Sequence, residues 1–285
     1  MDTILVATDF SERSDRALAR AALIAVRSAA RVHLVHVVDD DQKQKIIDSE
    51  TATSQQVLQE DARRLNEIDG LTCTTAVVLG DPFEGIVKAA DAIKPDLVVL
   101  GAHRRRVLRD VFVGTTAQRT IRRTRWPVLM VNAPAEHDYA SVMLATDLSE
   151  VSRKAVERLA DMDLTEQKNI TLMHVFDAPA QQLMMRSALT KPQMEDYLAA
   201  MQVEADQALA RFAATLRADR YDMISQHDDT GISAEILKTA ALMVADLIVV
   251  SSRGRVDLRK TFLGSVAEEV LRRADRDVLV IPPDP

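Results

Sequence analysis

At 285 residues, 47% apolar and 28% charged, the chain has the composition of a folded globular protein able to fill real cores, which excludes disorder as its default. A formal net charge of −7 argues against nucleic-acid binding by whole-molecule attraction. The single cysteine, Cys73, rules out an internal disulfide and fits a reducing, cytoplasmic setting, where it reads as a small strand residue in a core.

The first element is TILVAT, residues 3–8, a nearly unbroken apolar run of the kind a strand shows when both faces are buried. It is too short to cross a membrane and follows an acidic residue, so it reads as neither a leader nor an anchor. Ser11 can cap a helix whose Leu18, Ala22, Ala25 and Ala29 recur on one face. The strand RVHLVHVV follows. A polar stretch, residues 39–56, then leads into a helix carrying Leu58, Ala62, Leu65 and Ile68, and TCTTAVVL is the third strand. Pro82 opens a helix with Ile86, Val87, Ala90 and Ile93 inward, closed by Lys94 and Pro95. DLVVLG is the fourth strand, residues 115–123 form a helix, and PVLMVN is the fifth strand.

This series then repeats. TILVATDFSERSDRALARAA returns as SVMLATDLSEVSRKAVERLA, and VHLVHVVD as ITLMHVFD, both 138 residues later. The fourth strand, its loop and the fifth strand return 150 residues later, so the second copy gains about a dozen residues between its second and fourth strands. NAPAEHDYA, residues 132–140, is the linker. A period this long means whole domains, each expected to have its own core, with boundaries at 1–134 and 138–285. Strands alternating with helices predict an α/β fold: two open, five-stranded parallel sheets with helices on both faces. The last strands, PVLMVN and VLVIPP, would be apolar sheet edges and are expected to pair with each other or with a second chain.

Ligands of such sheets bind beyond the carboxyl ends of the strands, where strand order reverses. The groups brought there are Ala7, Thr8 and Asp9 (Ala145, Thr146 and Asp147 in the second copy), Val37 beside His36 (Val175 beside His174), and the loop after the fourth strand. That loop ends in Gly114–Thr115–Thr116 or Gly264–Ser265–Val266 directly before a helix. A glycine there admits close approach, and the open amides of a first helical turn attract an anion, although helix capping alone also explains the pattern.

The ATDFS strand end, the HV pair, the DLVVLG strand and the spaced glycines together resemble the universal stress protein family, and the duplication is similar to its tandem members. The resemblance covers nearly the whole chain, twice. It implies Rossmann-like domains of the adenine nucleotide alpha hydrolase type. In the nucleotide-binding subset of that family a Gly-x2-Gly-x9-Gly-Ser/Thr loop holds ATP. Here the first copy keeps Gly101 and Gly114 around His103 but has Arg104 at the second glycine. The second keeps Gly254 and Gly264 around Arg253 but has Ser251 at the first, after Val250. Arg104 puts a long side chain where a backbone should nearly touch phosphate, whereas Ser251 adds only a hydroxymethyl group. The resemblance therefore implies ATP or a related adenine nucleotide, with Mg²⁺ as its companion ion, in the C-terminal copy, and ranks the N-terminal set second.

Asp9 and Asp147 either accept from the nucleoside or cap the helix that follows, and His36 and His174 read as packed strand residues. Arg119, Arg122, Arg123, Arg125, Arg272, Arg273 and Arg276 read as solvated helix ends; no nucleic-acid or membrane partner and no metal site built by the protein's own side chains is expected. Three functions stay open: a nucleotide-binding stress-response regulator without turnover, a scaffold whose altered pockets take another anionic or apolar ligand near the Met-rich residues 181–189, and a weak ATPase using Asp147 and His174. An intramolecular pseudo-dimer is expected, and a homodimer is left open.

Overall fold

The computed structural model describes residues 1–68, 70–102, 116–165, 170–179, 191–217, 221–252 and 263–283. Outside them lie His103, Arg104, Gly114, Thr115, Arg253, Gly254 and the 181–189 segment. The strands are β1 (Thr3–Ala7), β2 (Arg31–Val38), β3 (Cys73–Leu79), β4 (Leu97–Gly101) and β5 (Val128–Val131), then β6 (Val142–Thr146), β7 (Ile170–Phe176), β8 (Asp222–His227), β9 (Leu247–Ser251) and β10 (Asp277–Ile281). They form one ten-stranded sheet in the order β3-β2-β1-β4-β5-β10-β9-β6-β7-β8. Each half is a five-stranded parallel unit whose order reverses at its first strand, β1 or β6.

The helices are α1 (Glu12–Ser28), α2 (Gln44–Ile68), α3 (Pro82–Ile93), α4 (Thr116–Arg123), α5 (Glu150–Met162), α6 (Lys191–Ala213), α7 (Ile232–Leu242) and α8 (Ser265–Arg273). Helices α1, α2, α5 and α6 bury their apolar faces in one layer; α3, α4, α7 and α8 do so on the other side of the sheet.

β5 and β10 pair antiparallel, Leu129 opposite Leu279, as expected of two apolar edges. This pairing changes the expected core. Each half was to have a core of its own; instead Leu129, Val131, Leu279 and Ile281 continue one layer across the seam, and Val128, Met130, Val278 and Val280 continue the other.

Three local expectations need correction. Helix α2 starts at Gln44, inside the polar stretch, because Ile47 and Ser54 are buried ahead of Leu58, Ala62 and Leu65 at helical spacing; the side chain of Ile68 falls outside what is described. Ala29 is not on the buried face of α1 but is its left-handed C-cap (φ 52°), Ala22 is half-buried, and Ala17, Ala21 and Ile24 complete the inward stripe. Cys73 is only half-buried on the outer strand β3, where burial and the charge of Asp61 push its thiol up to about 11.

The linker, expected as a plain connector, is fixed by a buried charged cluster. Arg20 of α1 and Asp277 of β10 are both buried (3% and 0% exposed), with Nε 3.3 Å from Oδ2, an ion pair that lacks hydrogen-bond alignment. The Arg20 guanidinium donates to the carbonyls of His137 (2.6 Å) and Pro134 (3.4 Å) and lies 4.3 Å from the ring centroid of Tyr139. Asp277 accepts from the Tyr139 hydroxyl (2.5 Å) and from the backbone amides of Asn132 (2.9 Å) and Ala133 (3.0 Å). Burial and the neighbouring Asp277 charge push the Tyr139 phenol well above its ordinary range, so it stays protonated and keeps donating.

Candidate functional site

The two copies build the same turn beyond their first strands. After β1, the Phe10 amide donates to Thr8 Oγ1 (3.0 Å) and Phe10 takes a left-handed conformation (φ 56°); after β6, the Leu148 amide donates to Thr146 Oγ1 (3.0 Å) with φ 62°. Bulky residues rarely occupy that region, so the turn holds some strain in both copies. It aims Asp9 and Asp147 back at their helices. Asp9 accepts from the Ser11 amide (3.2 Å) and hydroxyl; Asp147 accepts from the Ser149 amide (3.1 Å) and the Ser152 hydroxyl (2.7 Å). Both aspartates thus serve the helix start. Burial alone would raise the Asp9 carboxyl, but hydrogen bonds from Ser11 and Ser14 and the Arg13 guanidinium prevail and hold it below its ordinary value.

His36 and His174 match as well. Each ring Nδ1 lies against the carbonyl of the turn threonine, 2.8 Å from Thr8 O and 2.9 Å from Thr146 O, and His36 also stacks on Phe10 at 4.3 Å between centroids. They are half-buried strand-end residues, as the sequence suggested.

In the N-terminal half the strand ends enclose a cleft of about 320 Å³. Ala7, Thr8, Asp9, Val37, Gly101 and Thr116 are among the residues that line it. Sequence reading missed Arg13, Ser11, Ser14, Pro82 and Ile86, which complete its wall. Arg13 was findable: it stands four residues after Asp9, bonded to it at 3.5 Å, where the second copy has Val151.

Gly101, besides lining the cleft, meets a packing demand. A Cβ there would meet the carbonyl carbon and oxygen of Arg13 at 2.8 Å and the amide nitrogen of Ser14 at 3.0 Å, all backbone atoms of α1. The glycine lets the first turn of α1 close on β4. Gly101→Ala is therefore expected to destabilise the fold by about 1–3 kcal/mol through overpacking, read from urea unfolding; an unchanged midpoint would refute the close approach. Ser251 holds this position in the C-terminal copy, at the end of β9.

In the C-terminal half Ala145 lies between Met173 and Val250, and Thr146 beside His174, so Ala145, Thr146, Asp147, Val175, Val250 and Ser251 converge at the carboxyl end of the sheet. Gly264 is the N-cap of α8, with φ −62° and ψ 148°, and among the described residues it gives the first turn no side-chain cap. Its amide donates to Ser252 O at 2.8 Å, which draws the ends of the 252–264 loop together beside β9.

The arginines expected as solvated helix ends are largely paired. Arg119 meets Asp81 (3.2 Å) and lies 3.7 Å over the Phe83 ring, and Arg125 meets Asp91 (3.1 Å). Arg122 reaches across the seam to Glu268 (2.7 Å). Arg272 and Arg273 share Glu269, while Arg276 donates to the carbonyls of Ala240 and Ala245. Among the described residues no helix is long and apolar enough to cross a membrane, and no group of three or more His, Cys, Asp or Glu could hold a metal ion.

Fold and strand-end groups together define a duplicated α/β protein whose two doubly wound halves share one sheet. The profile of the Universal stress protein family matches residues 1–132 and again 138–282, and the chain belongs to that family. It is 25% identical over 150 residues to a universal stress protein of Methanocaldococcus jannaschii, spanning 45% of this chain and 93% of that protein. It is 26% identical over 212 residues to universal stress protein E of Salmonella typhi, 71% of this chain and 66% of that one, just under two thirds. A solved universal stress protein from Archaeoglobus fulgidus DSM 4304 covers 98% of both chains with a TM-score of 0.70 at 18% identity, a likeness of fold.

Proposed function

We propose that the chain is a cytoplasmic, nucleotide-binding regulator of the stress response, with ATP or a related adenine nucleotide seated in the C-terminal copy and no turnover. Domain boundaries at 1–134 and 138–285 go with this reading. The observation that carries it is the bare N-terminus of α8: Gly264 offers no capping side chain, so the first-turn amides keep their donors for a phosphate. The anionic triphosphate fits such a seat, and the turn at Thr146 and Asp147 with Val175 and Val250 supplies walls for the nucleoside. With no carboxylate cluster among the described residues, Mg²⁺ would be held chiefly by the nucleotide's own phosphates.

The 320 Å³ cleft of the N-terminal half favours a second reading, in which that copy also takes a ligand. The test is calorimetric titration of the full chain with ATP, together with its thermal midpoint. Saturable binding with a raised midpoint and no phosphate release above background is expected; at 100 times Kd the linkage amounts to about 2.7 kcal/mol. Absence of both heat and midpoint shift at millimolar ATP would overturn the reading.

A further inference from the structure

We propose that the Arg20–Asp277–Tyr139 cluster is a one-sided lock that confines the β5–β10 pairing to a single chain and keeps a second copy of this chain out of the seam. The strands themselves do not discriminate. β5 reads VLMV and the matching part of β10 reads VLVI, so β5 against β5 of another chain would offer nearly the same hydrogen bonds and methyl groups. The residue just before these runs differs: Pro127 in the N-terminal copy, Asp277 in the C-terminal one.

Arg20 reaches over the seam and finds Asp277. Pairing two β5 strands between chains would set each Arg20 opposite a Pro127, burying two guanidinium groups without a carboxylate and leaving two Tyr139 hydroxyls without their acceptor. Desolvating an unpaired charge is strongly unfavourable, so the wrong pairing is penalised far more than the right one is favoured. The linker ties this choice to covalent continuity. Asp277 is completed by the amides of Asn132 and Ala133 and by Tyr139, all in the segment that joins the two copies. Buried polar groups used to select among near-equivalent pairings are a known specificity device. The inference stands independently of any nucleotide.

The test replaces the cluster with apolar groups in the full chain: Arg20→Met, Tyr139→Phe and Asp277→Leu together. A reporter, Leu129→Cys in a Cys73→Ser background, reads the seam, because Leu129 faces Leu279 within one chain but would face another Leu129 if two β5 strands paired. The triple variant is expected to stay folded and to lose less of its thermal midpoint than Asp277→Ala, since apolar replacement of a buried ion pair is often neutral and only the part-buried amides of Asn132 and Ala133 lose their acceptor. Its disulfide-linked dimer fraction after mild oxidation is expected to rise at least about tenfold over the lock-intact reporter, with matching dimers in native mass spectrometry. Equal, low crosslinking in both backgrounds would overturn the proposal. Should the triple variant not fold, Asp277→Asn decides in the same reporter: it removes the charge that Arg20 needs, and unchanged crosslinking there would equally overturn the lock.

Discussion

Asp277→Ala is expected to lower the stability of the chain by about 3–5 kcal/mol, because it removes one partner of a buried pair and leaves the other charged and dry. Arg20 is 3% exposed, and among the described residues its carboxylate partner is Asp277. The same substitution strips the acceptor from three donors, the Tyr139 hydroxyl and the amides of Asn132 and Ala133. The Tyr139 hydroxyl is the buried one of the three, and leaving it unsatisfied adds a desolvation penalty. A lowering of the thermal midpoint on the order of 10 °C follows for a chain of this size. Surface pairs provide the contrast. Arg125 and Asp91 are each about half exposed, and their separation should change the midpoint little. A drop for Asp277→Ala no larger than for Asp91→Ala would mean that the cluster is better hydrated than its burial indicates.

That cluster was also the least legible part of the sequence. Tyr139 and Asp277 are 138 residues apart and Arg20 lies 119 residues before Tyr139, so nothing local marks them as neighbours. In α1, Arg20 sits in an arginine-rich helix and reads as one more solvated cation; only the docking of the second copy closes over it. Elements that depend on local pattern were readable. The apolar runs of β1, β4, β6 and β9 are buried on both faces, and such runs point to central strands of a parallel sheet. The polar start of α2 was not readable, because Ser54 faces inward there and small polar residues carry no hydrophobic period.

The strand-end groups were legible by repetition rather than by chemistry. Thr8 and Thr146, Asp9 and Asp147, and His36 and His174 recur with the same hydrogen bonds, so the duplicated pattern exposed the duplicated turn. Their division of labour was not legible. Glycine at 101 reads as a ligand contact, and the backbone of Arg13, 2.8 Å from where a Cβ would be, gives it a packing demand as well. A packing demand and a ligand demand leave the same letter in the chain.

Gly264→Val separates those two demands, and it is expected to weaken ATP binding by at least about 100-fold, or roughly 2.7 kcal/mol. With φ −62° and ψ 148°, Gly264 occupies an extended conformation open to any residue, so valine meets no backbone barrier. Its amide can go on donating to Ser252 O. Valine is a poorer N-cap than glycine, which limits the expected stability loss to about 1 kcal/mol or less. What changes is the space over the first turn of α8: two methyl groups would cover the amides of Ser265 and Val266, where the proposed phosphate draws its hydrogen bonds. Calorimetric titration of a variant with near-parental urea unfolding therefore isolates the seat itself. Undiminished ATP affinity in that variant would mean that the bare N-terminus of α8 is a helix start and nothing more, and would move any nucleotide to the cleft behind Thr8 and Arg13.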